Sequence, residues 1–352
     1  MKRSTRRVAA VLAGLLALAG VAALVAGVFS PTPYERLAAG LDPRFPGRGI
    51  DPDTGEVRDE AMTYAAVAYA AAKAGDHDRA RTAADWLVEN AHAGPSGYGW
   101  GLSFAWDAFG DGSVNPADAI YGITVAFAAQ GLLEAHSATG EAAYAEAAVR
   151  ALESYRDNAS RLEPGGRVFL YSDQQADGAY NVYNIGAYLA GQYRRAGSLP
   201  HASGLTATAA EALASTLGHA RRAADGTLSW PYSDFDPMKP NDATHAAFFL
   251  YGLAAAGAAP EDVAAAARHL DVFLEDGRIM KFPPGFETGP ASERTAGDAW
   301  DLGAMMFALC HAGEAERALA LWNRHQPLVW DAPLDERPRG QVLMALAECG
   351  LS

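Results

Sequence analysis

The chain has 352 residues, half of them hydrophobic and a fifth charged, which is too apolar for a disordered protein and sufficient to bury a large core. Its 28 basic residues against 42 acidic ones leave a formal charge of −14, which excludes the basic footprint of a nucleic-acid-binding protein. The two cysteines, Cys310 and Cys349, lie in apolar helical stretches without metal-ligand spacing and read as buried thiols.

At the start of the chain, Lys2, Arg3, Arg6 and Arg7 precede an uncharged run over residues 8–29, long enough to cross a bilayer as a helix and closed by Pro31 and Pro33. The basic flank favours an N-in orientation. The expectation is a signal peptide or N-terminal membrane anchor over residues 1–33, followed by a single domain over residues 34–352. That domain would be extracytoplasmic, held to the cytoplasmic membrane by an uncleaved helix, or secreted if the small-x-small site at Ala17-Leu18-Ala19 is cut.

Beyond this segment, Ala-rich apolar stretches cover residues 59–74, 118–136, 177–195, 242–256 and 298–312, each opening near an Asp and recurring about every 60 residues. Each leads through a short connection into a second, more polar helix, such as residues 79–90 and 141–157. Long connections follow those second helices, over residues 92–117, 163–176, 225–241, 276–297 and 329–338. Helices apolar nearly all round suit an inner ring and charged ones an outer ring. Residues 339–351 supply a sixth inner helix and residues 34–39 its outer partner. The fold class expected is all-α, an (α/α)6 toroid of helical hairpins with long loops on one face.

This arrangement resembles the six-hairpin glycosidase-type (α/α) toroid. The fragments Trp100-Gly-Leu-Ser-Phe-Ala-Trp-Asp-Ala-Phe-Gly-Asp-Gly and Asn115-Pro-Ala-Asp-Ala-Ile-Tyr-Gly are also similar to bacterial exopolysaccharide-biosynthesis proteins of this shape. The resemblance implies an active cleft at the N-terminal ends of the inner helices, where the long loops converge. It also implies a carbohydrate polymer or oligosaccharide as partner, with exopolysaccharide assembly machinery and, through the N-terminal helix, the membrane as further partners.

The residues on that face fit a saccharide. Trp100, Trp106, Trp230, Trp300 and Trp330 lie in the long loops or at inner-helix starts, together with Tyr121, Tyr183 and Tyr232. Aromatic faces offer apolar area to sugar C–H faces, while neighbouring polar groups such as Asn184, Asp242 and Asp298 can bind hydroxyls. Some rings will instead form small cores within the loops. Asn115-Pro116-Ala117-Asp118, Asp242 and Asp298 also read as helix caps.

A glycoside hydrolase needs two carboxyl groups, one protonated and one ionised, across the scissile bond. The candidates that capping does not require are Asp107, between Trp106 and Phe109, Asp301, one turn beyond Asp298, and the pair Asp234 and Asp236. A polysaccharide lyase or an epimerase would instead use His245 with Tyr183, Asn184 and Arg294. A non-catalytic polysaccharide-binding factor ranks after the enzyme, and isoprenoid chemistry third. No metal or organic cofactor is expected: the cysteine inventory disfavours zinc, and Asp234-x-Asp236 lacks the Gly and Glu of a calcium loop.

Overall fold

The computed structural model describes residues 31–50, 55–107, 109–174, 180–236, 238–285, 295–331, 334 and 336–352. Six helices form a closed inner ring: α2 (Ala61–Ala74), α4 (Gly122–Thr139), α6 (Tyr183–Gly197), α8 (Ala243–Ala256), α10 (Ala299–His311) and α13 (Glu336–Glu348). Each packs on the next, and α13 returns to α2. The outer ring holds α3 (His77–Asn90), α5 (Ala142–Asn158), α7 (Leu205–Gly218), α9 (Pro260–His269) and α11 (Ala315–His325). The short α1 (Pro33–Ala38) lies against α13, as its outer partner. A further turn, α12 (Pro327–Trp330), follows α11. The all-α toroid read from the repeat is therefore observed.

Small residues set how tightly the inner ring closes. A Cβ on Gly131 of α4 would collide with the Ala65 backbone of α2, and one on Gly252 of α8 with the Ala187 backbone of α6. The backbones touch at these points, so alanine and glycine dominate facing surfaces where larger side chains would hold the helices apart.

The long connections are not plain loops. Four of them open with a two-stranded antiparallel hairpin: β3 (His92–Gly94) with β4 (Gly97–Gly99), β5 (Ser160–Glu163) with β6 (Gly166–Phe169), β7 (Arg221–Arg222) with β8 (Leu228–Ser229), and β9 (Leu274–Glu275) with β10 (Arg278–Ile279). A fifth pair, β1 (Arg48–Ile50) and β2 (Val57–Asp59), precedes α2. Turn signals mark these positions in the sequence. Asp276-Gly277 joins β9 to β10 with φ of 46° and 77°, the backbone of a two-residue hairpin turn. Single bridges then tie neighbouring loops together, Tyr121 to Ser172 and Val182 to Ser233.

Several expectations need correction. Helix α4 starts at Gly122, not near Asp118, because Asn115 is bridged to Trp106 and Gly101 to Ile120, which keeps the chain extended. Asp118 takes a left-handed φ of 64° in place of a first-turn position. Helix α13 begins at Glu336, ahead of Pro338, since a proline in the first turn forfeits no helical hydrogen bond. Cys310 and Cys349 are not free thiols: they end neighbouring inner helices and form a disulfide, with Cα atoms 5.4 Å apart.

The expected membrane-spanning run, residues 8–29, lies outside the described residues. Among the described residues no helix is long and apolar enough to cross a membrane. The expectations of a transmembrane or signal helix, a membrane partner and an anchored location are corrected on that finding and carried no further. Arg294, and Asp177 at the expected start of the third inner stretch, also lie outside the described residues.

Candidate active site

The first turns of α2, α4, α8, α10 and α13, with their preceding loops, surround a cleft of about 380 Å³ on the long-loop face. Met62, Ile123 and Phe248 line it from the inner ring, and Leu102, Phe104, Trp106, Tyr171 and Tyr232 from the loops. Its polar wall is Asp242, Thr244, His245, Lys281, Asp298, Asp301 and Arg337. Helix N-termini carry unpaired N–H groups and positive dipole ends, so carboxylates gather there at reduced cost.

Two aspartates cap helices at this rim. Asp298 Oδ1 accepts from the Trp300 and Asp301 N–H groups at 2.8 and 3.2 Å, and the Asp298 N–H donates to Asp301 Oδ2 at 3.2 Å, closing a capping box on α10. Asp242 caps α8 by accepting from the His245 N–H at 2.9 Å. The same carboxylate also holds the His245 ring, whose Nδ1 lies 2.8 Å from both oxygens. This fixes the imidazole and leaves Nε2 as the nitrogen available for chemistry.

Two of the cleft acids, Asp301 and Asp242, have opposite tendencies. Asp301 is 2% exposed. Burial is the main cause that pushes its carboxyl up to about 6, and the charges of Asp298 and Asp242 add to it against the hydrogen bonds from Thr244 and the Asp298 N–H. Burial also acts to raise Asp242. There the charge and hydrogen bonds of His245, with Lys281 behind them, outweigh it and hold the carboxyl below the usual range.

A bidentate ion pair closes the cleft beside α13. Arg337 donates through Nε and a terminal nitrogen to Glu60 at 2.9 and 2.8 Å, with its guanidinium 5.1 Å from the Trp300 ring centre and 5.8 Å from that of Phe104. Neither residue stands out in the sequence: Arg337 precedes Pro338, ahead of the expected sixth inner helix, and Glu60 falls within the expected first inner stretch.

The structure brings together Asp301, His245, Trp106, Tyr232, Asp242, Asp298 and Trp300. The other candidates lie elsewhere. Asp107 accepts from the Gly110 and Gly112 N–H groups and organises its own loop. Asp234 accepts from the Asn181 N–H and Asp236 from the Met238 N–H, both at exposed positions. Trp100 and Trp230 occupy equivalent places in the first and third repeats: each follows a hairpin and donates its indole N–H at 2.8 Å to the preceding outer helix, at Leu87 and Thr216. Tyr121 is fully buried, Tyr183 stacks on His219 with ring centres 4.6 Å apart, and Asn184 is buried in α6.

No family model matches this chain, and no curated protein does. Solved structures do. A sugar epimerase from a ruminal bacterium superposes with a TM-score of 0.59 at 12% identity, over 90% of this chain and 96% of that one. The unsaturated glucuronyl hydrolase of Bacillus sp. GL1 gives 0.57 at 12% identity, over 89% and 92%. An endoglucanase of Klebsiella pneumoniae, a family 8 glycosyl hydrolase, gives 0.56 at 15% identity, over 89% and 97%. The fold is the six-hairpin (α/α) toroid. At such identities the likeness carries the fold alone, and the chemistry of this toroid rests on its own residues.

Proposed function

We propose that this toroid is a carbohydrate-active enzyme that hydrolyses a glycosidic bond in a bacterial exopolysaccharide or in oligosaccharides derived from one. The observation that carries the reading is an acid and a base set in one cleft, the buried Asp301, its carboxyl pushed up to about 6, and His245, whose Nδ1 the ionised Asp242 holds at 2.8 Å. Titratable neighbours driven apart in this way mark acid and base roles. Asp301 gives its proton to the departing glycosidic oxygen. In its neutral form, with Nδ1–H donated to Asp242, His245 takes a proton at Nε2 from the water whose oxygen bonds to the anomeric carbon. Trp106, Tyr232 and Trp300 supply faces for the sugar, and the cleft volume lies near the small end of the usual ligand-site range of roughly 300–1,000 Å³. Sugar-acting names among the structural neighbours, and the likeness of the Trp100 and Asn115 segments to exopolysaccharide-biosynthesis proteins, support the substrate class.

The fixed Asp242–His245 pair favours a second reading, epimerisation, in which His245 Nε2 removes a carbon-bound proton and a second group, protonated Asp301, delivers one to the opposite face of that carbon. The test is incubation with a panel of bacterial exopolysaccharides and short oligosaccharides, following reducing ends, absorbance near 235 nm and sugar configuration by NMR. New reducing ends without the absorbance, lost in Asp301→Asn and His245→Ala, are expected. The absorbance would instead indicate elimination, inverted configuration without cleavage would indicate epimerisation, and binding without turnover would indicate an assembly factor.

A further inference from the structure

Phe109, Tyr180 and Phe235 come from three different long loops and meet beside the cleft. Ring centres lie 4.6 Å apart for Phe109 and Tyr180, 4.7 Å for Tyr180 and Phe235, and 5.5 Å for Phe109 and Phe235. Phe109 also packs at 5.2 Å on Tyr171, which lines the cleft. A chain of ring contacts thus links Tyr171 on the cleft wall to Phe235 at the rim. Phe235, at its outer end, is 44% exposed. A cluster serving only as a loop core would turn its largest rings inward, whereas this one leaves an aromatic ring in water next to a cleft already walled by Trp106 and Tyr232. Polar groups flank it: the Tyr180 hydroxyl lies 3.5 Å from Asp111 Oδ2, and the exposed Asp234 and Asp236 adjoin Phe235 in sequence. An apolar ring beside hydroxyl-binding oxygens is the combination that recognises a pyranose.

We infer that the Phe109–Tyr180–Phe235 cluster is a distal saccharide subsite, linked to the cleft through Tyr171, so that the preferred substrate is a chain extending beyond the reacting sugar. The inference rests on the reading of the cleft as a carbohydrate site and deepens it. Phe235 stacks on a sugar ring remote from the bond that reacts, and a substrate confined to the cleft does not reach it.

The test measures binding by isothermal calorimetry to cello-, xylo- and hyaluronan oligosaccharide ladders from the disaccharide upward, using the Asp301→Asn chain so that ligands survive. Affinity is expected to rise with length for at least one series. Phe235→Ala should then weaken the longer members about three- to tenfold, the range of an aromatic contact, leave the disaccharide unchanged, and be rescued by Phe235→Tyr. Phe235 is exposed enough for the alanine variant to fold, which circular dichroism checks. Length-independent binding, or length dependence untouched by Phe235→Ala, overturns the subsite and leaves the cleft reading standing. Absence of binding to every ladder and to the exopolysaccharide panel removes both.

Discussion

Thr244 Oγ1 donates a hydrogen bond of 2.7 Å to Asp301 Oδ1, joining the first turn of α8 to that of α10 across the cleft floor. It is the side-chain hydroxyl that the buried carboxyl meets, and it favours the ionised form that burial opposes. If Asp301 is the proton donor, turnover falls as pH rises through about 6, and Asp301→Asn loses about 10²- to 10⁴-fold. Thr244→Val removes a bond that lowers the Asp301 pKa, so the alkaline limb of the pH profile should move upward. An unshifted limb would detach Asp301 from the rate.

The same carboxyl makes a stability prediction of opposite sense to the usual one. A carboxyl raised from 3.8 to about 6 binds more protons folded than unfolded between those values, so stability declines as pH rises through that window. Asp301→Asn should match the parent in urea unfolding at pH below 4 and exceed it above pH 6, by about 3 kcal/mol at most. Parity at pH 7 would mean the site tolerates the charge.

At the opposite pole, Glu348 closes the ring. It accepts from Tyr69 at 2.5 Å, pairs with Lys73 at 3.0 Å and meets His311 Nδ1 at 2.8 Å, bonding α13 to both α2 and α10. Burial acts to raise Glu348, but the bonds from His311 and Tyr69 and the charges of Lys73 and His311 bring it to about 2 from 4.5. Stability from this lowered carboxyl is complete above pH 4.5 and is lost as pH falls toward 2. Glu348→Gln should cost about 3 kcal/mol at pH 7 by urea unfolding, with the deficit narrowing across that window.

The Cys310–Cys349 disulfide fastens the same seam, one residue from His311 and one from Glu348. Closing a 39-residue separation restricts the unfolded chain enough for about 4 kcal/mol. Cys310→Ser, or reduction, should lower the thermal midpoint. Combined with Glu348→Gln its effect should be non-additive, because both changes release one helix pair.

Arg337 is the partner of a carboxylate that is 5% exposed, while its own side chain is 24% exposed. Arg337→Ala leaves Glu60 unpaired and should cost about 2–3 kcal/mol, below the fully buried range because water reaches the arginine. Lysine cannot reproduce the two-pronged bond, so Arg337→Lys should recover only part, as thermal unfolding would show.

The number of hairpins, the inner or outer place of each helix and the face that carries the long loops were all legible in this sequence. They follow from apolar periodicity and connection length, which are local properties. Asp242 and Asp298 were readable as caps for the same reason. The hairpins at Asp276-Gly277 and Pro164-Gly165 sit on turn residues but lie in connections expected only as long loops. What only the tertiary structure decided is which acids share a cleft. Asp107, Asp234 and Asp301 look alike in sequence, yet the first two are consumed by N–H groups of the loops, while Asp301 is buried among helix ends. Its partner Thr244 is 57 residues away, and Glu60 and Arg337 are 277 apart. Packing of consecutive inner helices joins the first pair and closure of the ring, α13 on α2, joins the second; that closure depends on the packing of every helix between, which no short stretch of sequence records.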